Sequence, residues 1–118
     1  MPAPEDPKEL ELVRKAISLA HIGGCLVWNQ KEERKLRAQP PIPDLLPDQT
    51  RKLLVEFVAD GGDIMQVKEA RPHWQDLREY WYKAKIPFEG LPKGLFVEFW
   101  LSDDDPDYPA VELTNYHR

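Results

Sequence analysis

The chain has 118 residues, 42% of them hydrophobic and 31% charged, with 16 Lys and Arg against 21 Asp and Glu for a net charge of −5. Such a length suits one domain around one core, and such a composition is that of an ordinary globular chain, which excludes a disordered or fibrous protein. The acidic balance disfavours a protein whose main task is neutralising many nucleic-acid phosphates.

Residues 1–8, rich in proline, read as a loose tail. From 7 to 20 the apolar Leu10, Val13, Ile17 and Ala20 recur at three- and four-residue spacing, which predicts an amphipathic helix stopped by Gly23-Gly24. The run Cys25-Leu26-Val27-Trp28 is too short to classify, and Asn29 is a candidate cap for a charged helix through Arg37. Four prolines between 40 and 47 predict a stiff, extended connector, because proline fixes φ and lacks an N–H. Beyond it Asp48 is the expected N-cap of a helix over 48–60, with Leu53, Leu54, Phe57 and Val58 on its buried face and Gly61-Gly62 at its end.

The period then changes to two. Residues 64–68, 80–86, 95–101 and 111–116 alternate as strands, with turn residues at 89–94 and 102–109. The expected fold is α+β: N-terminal helices, then a four-stranded antiparallel meander over 64–117 packed on the 48–60 helix. Tyr82, Ile86, Leu95, Val97, Phe99, Val111 and Leu113 belong on the core face. Trp81, Lys83, Lys85, Phe96, Glu98, Trp100, Glu112, Thr114 and Tyr116 belong on the other.

That second face is one candidate binding surface, since aromatic side chains among cations rim protein interfaces or stack bases. Aromatic and Lys–Glu cross-strand pairs also stabilise a sheet with no partner at all. The hairpin bearing Asp103, Asp104, Asp105 and Asp107 is the other candidate. Its spacing departs from an EF-hand, with Tyr108 where that loop needs glycine and Thr114 where it needs glutamate, so no metal is expected there. Turn formation accounts for these residues equally well.

No apolar run approaches the roughly 18 residues of a membrane span, and the first residues lack the regions of a signal peptide, so the chain reads as soluble and cytoplasmic. Cys25, the one cysteine, has no second thiol for a disulfide or a zinc knuckle and lies in an apolar run, as a buried structural thiol does. Phosphate-loop, dinucleotide, zinc-protease and nucleophile-elbow motifs are all missing, so no cofactor is expected.

These observations favour a domain acting through a protein partner, by way of Trp81, Lys83, Phe96, Trp100 and Tyr116 on the sheet or Asp103 and Asp105 on the hairpin. The alternative is an enzyme. Two helices followed by four antiparallel strands is the coarse order of small RelE-like and barnase-like ribonucleases, a likeness of topology and not of motif. Metal-independent RNA cleavage needs a base, an acid and cations for the phosphorane. Arg71, His73 and His117 supply them if the loop before Tyr80 folds over the sheet, with Lys83, Lys85 and Arg118 beside them. RNA is a partner only under this alternative, which requires His73 or His117 within hydrogen-bond reach of Arg71, Lys83 or Lys85.

Overall fold

A computed structural model describes residues 4–118. Helix α1 spans Pro7–Ser18, begins with proline at N1 and is capped by Asp6, whose carboxylate accepts the Glu9 amide. Residues 1–3 of the expected tail lie outside the described residues, and the rest of it is anchored. Asp6 exchanges hydrogen bonds of 2.9 and 2.8 Å with the Gln66 side chain, and the Glu5 carboxylate accepts from the Tyr80 hydroxyl. Strand β1, Leu26–Trp28, precedes helix α2, Gln30–Ala38, which Asn29 caps by accepting the Glu32 amide.

Helix α3 runs over Pro47–Ala59. Its N-cap is Leu46, two residues earlier than the expected cap at Asp48, because Pro47 occupies N1, where its fixed φ and missing N–H cost nothing. The Leu46 amide donates to the Gln49 side chain. The 40–47 connector does more than span a gap, since Ile42 and Leu45 are buried in the core. Strand β2 (Ile64–Lys68), the short helix α4 (Pro72–Gln75) and strands β3 (Tyr80–Phe88), β4 (Leu91–Asp103) and β5 (Ala110–His117) complete the fold.

The class is α+β, and the sheet has five strands in the order β1-β5-β4-β3-β2. Strands β2 to β5 pair antiparallel in sequence, but β1 adds a parallel edge, with Leu26 opposite Val111 and Trp28 opposite Leu113. The expected four-stranded meander is thereby a five-stranded mixed sheet. Three residues are too few to display a period, although Leu26 and Trp28 are buried on either side of the exposed Val27.

Helices α1 and α3 pack on each other and on one sheet face. Val13, Ala16, Ile17 and Leu54 meet Tyr82, Leu95, Val97, Phe99, Val111 and Leu113 in a single apolar cluster. Phe57 is only partly buried at its margin, so Leu54 is the α3 side chain that the core encloses. Among the described residues no helix is long and apolar enough to cross a membrane.

Candidate active site

The face opposite the helices carries Trp81, Lys83 and Lys85 from β3, Phe96, Glu98 and Trp100 from β4, and Glu112 and Thr114 from β5. Tyr116 departs from this set. Its ring is fully buried on the helix side, lies edge-on to Trp28 at 5.9 Å, and its hydroxyl donates to the Leu45 carbonyl. A β-bulge is the cause. Phe99 pairs with Leu113 and Glu98 with Asn115, so Thr114 is an extra residue in β5 and the in–out phase shifts beyond it.

The same shift turns His117 outward against Phe96 and Glu98. The His117 and Phe96 rings stack at 5.5 Å, and His117 Nε2 lies 2.7 Å from Glu98 Oε2. Its Nδ1 lies 3.1 Å from the Arg118 carbonyl. Both ring nitrogens therefore face oxygen atoms. Lys83 stands opposite Glu98 in the strand register, with Nζ 5.1 Å from the Phe96 ring centre and 5.9 Å from that of Trp81. Lys85 follows one strand period on, opposite Phe96, and Arg118 follows His117 in sequence. The acidity of the chain is at the distant hairpin instead. There Asp103 accepts the Asp105 amide, and Asp105 accepts the amides of Asp107 and Tyr108, so these side chains build the turn.

The other end of the face is arranged differently. Glu69 is buried, 3% exposed, and binds the Arg71 guanidinium through two hydrogen bonds of 2.9 Å and Arg78 through a third of 2.9 Å. The Arg71 hydrogen bonds, reinforced by Arg78, hold the Glu69 carboxyl down at about 2 against its burial. This network clamps the segment between β2 and β3 over the sheet. Arg71 lies 5.7 Å from the Trp81 ring centre, and Arg78 lies between the rings of Trp74 and Trp100 at 4.9 and 5.0 Å. Glu112 accepts from Trp100 and from Asn29.

The loop before Tyr80 thus folds over the sheet as the ribonuclease alternative requires, but with a different result. Arg71 is engaged by Glu69, and His73 is exposed on α4, its ring 6.1 Å from that of Trp74. Among the described residues neither His73 nor His117 hydrogen-bonds Arg71, Lys83 or Lys85, so the contact that the ribonuclease alternative requires is not made; His117 pairs with a carboxylate, Glu98, instead of a cation. Glu98 was legible only as a cross-strand partner for lysine, and no residue type marks the bulge that delivers His117 to it. Cys25 is buried. Among the described residues no three of His, Cys, Asp and Glu stand together as metal ligands. Comparisons with protein-family models, with curated proteins and with solved structures find no match for this chain.

Proposed function

We propose that the Glu98–His117 end of the open face cleaves single-stranded RNA without a metal. The 2.7 Å contact between Glu98 and His117, set beside Lys83 on the side of the sheet away from the helices, carries this reading. It joins a proton acceptor, a proton donor and a phosphate-binding cation on rigid strands, the combination that phosphodiester transfer needs.

In the proposed reaction Glu98 accepts the proton of a ribose 2′-hydroxyl, the 2′-oxygen bonds to phosphorus, and the bond from phosphorus to the 5′-oxygen breaks. The His117 imidazolium turns Nε2 from Glu98 to that leaving oxygen and protonates it. A 2′,3′-cyclic phosphate and a 5′-hydroxyl result. Glu98 then returns its proton to His117 across their hydrogen bond, so the pair resets itself. Lys83 opposes the charge that builds on the phosphorane, and Phe96 and Trp81 offer ring faces to bases.

The reading through a protein partner at the aromatic pair is weakened by Arg71 and Arg78, which already lie against Trp81 and Trp100. Incubation of the purified protein with a mixed RNA in EDTA tests the proposal. Cleavage to cyclic-phosphate ends is expected, falling on the order of 10² to 10⁴-fold in His117→Ala and in Glu98→Gln. Inert RNA, or cleavage that survives His117→Ala, overturns it, and inert RNA returns a protein partner to first place.

A further inference from the structure

A groove of about 480 Å³ runs from the turn between α3 and β2, across β2 and β3, to Phe96 on β4. Its lining includes the rings of Phe57 and Phe96 and the side chain of Met65, which is 48% exposed on the edge strand. Met65 thus shares one concave surface with two phenylalanines, whereas the more exposed Leu77 and Tyr108 line none of it. Gly62 keeps the groove open in this shape, because a Cβ there would come within 2.5 Å of the Phe57 ring and force it to move.

Charge along the groove is divided. Lys83 and Lys85 line the side toward the Glu98–His117 pair, and Asp63 lines the end at the α3–β2 turn. Phe96 belongs both to the groove and to the stack on His117. A ligand in the groove is therefore one ring away from the proton-transfer pair.

We propose that this groove seats one unpaired nucleobase of the strand whose phosphate lies at His117, an inference that rests on the RNA-cleaving reading. Every base has an apolar face for Met65 and the two rings, while its flanking phosphates carry the charge that Lys83 and Lys85 attract and Asp63 repels. The sugar–phosphate chain is thereby held on the lysine side. A paired base cannot enter, so the groove selects single strands over duplex.

Fluorescence anisotropy with a labelled 2′-O-methyl oligonucleotide tests this, since a blocked 2′-oxygen permits binding without cleavage. The intact single strand is expected to bind on the order of 10-fold more tightly than its fully abasic counterpart or its duplex. Met65→Glu, which places a carboxylate on the groove floor at an exposed site, is expected to abolish that difference. Gly62→Val, which displaces Phe57 from the other side, is expected to reduce it. Equal binding of the intact and abasic strands, or an undiminished difference in both variants, overturns the groove proposal. Base-dependent binding by a protein that leaves ordinary RNA uncut upholds the groove and overturns the chemistry assigned to Glu98 and His117. Cleavage without base-dependent binding does the reverse.

Discussion

At the Trp81–Trp100 end of the open face the cations are consumed within the molecule, whereas the Lys83–His117 end holds a carboxylate–histidine pair that reaches solvent. Arg71 and Arg78 share one buried carboxylate and lie against three tryptophan rings, Trp74, Trp81 and Trp100. The Glu98–His117 pair instead keeps side-chain exposures of 19% and 38%. Both ends are built from aromatic, basic and acidic side chains on the same strands. What separates them is burial of the carboxylate. Glu69 is out of water and must be neutralised by fixed partners, so its arginines serve the fold; Glu98, more exposed than Glu69, reaches water and can exchange one partner for another.

The sharpest way to break that contrast is Glu69→Ala. Arg78, whose side chain is only 8% exposed, then loses its counter-charge, and removal of one partner from a buried pair costs about 3 to 5 kcal/mol. Denaturant unfolding measures it, and a loss below about 1 kcal/mol shows that the two ends do not differ as described. A second expectation follows from the low pKa of Glu69. Held at about 2 against a usual 4.5, its ionised form stabilises the native state fully above the ordinary carboxylate range, and that contribution of about 3 kcal/mol is lost as pH falls toward 2. Thermal unfolding between pH 5 and about pH 2 reads the loss. Glu69→Gln should flatten the curve. The smallest effect is at the other end, where Lys83→Gln and Lys85→Gln should each leave stability within about 0.5 kcal/mol and lower the salt slope of RNA binding by about one. An unchanged slope in both variants removes these lysines from the proposed phosphate site.

Much of this architecture was legible because periodicity reports which side of an element faces the core. Val13 and Ile17 on α1, and Leu54 on α3, lie where helical spacing puts them, and alternation along β3 and β4 separates Trp81 and Trp100 from Val97 and Phe99. Periodicity also explains the errors. It cannot register a strand of three residues, and it carries Tyr116 onto the wrong face because it has no means of counting the extra residue at Thr114. The start of α3 is legible in Pro47, a residue suited to N1, whereas Asp48, although of a capping type, lies within the first turn. The burial of Glu69 had no local signal, since its partner Arg78 is set by the path of a loop that no alternation describes.

The parallel pairing of β1 with β5 also bears on how the chain assembles. Among the described residues Leu26 to Trp28 pair with no strand but β5, at Val111 to Leu113, and α1 packs on β4 and β5 as well as on α3, so the N-terminal third is completed by contacts far along the chain. Contacts so far apart in sequence carry a large closure entropy and slow a folding reaction. While the ribosome is still making β5, the edge strand β1 lacks its partner and the first helix has only α3 and β4 to pack on. The strand that pairs with β1 is the one that carries His117, so a nascent chain has no Glu98–His117 contact before that edge is formed.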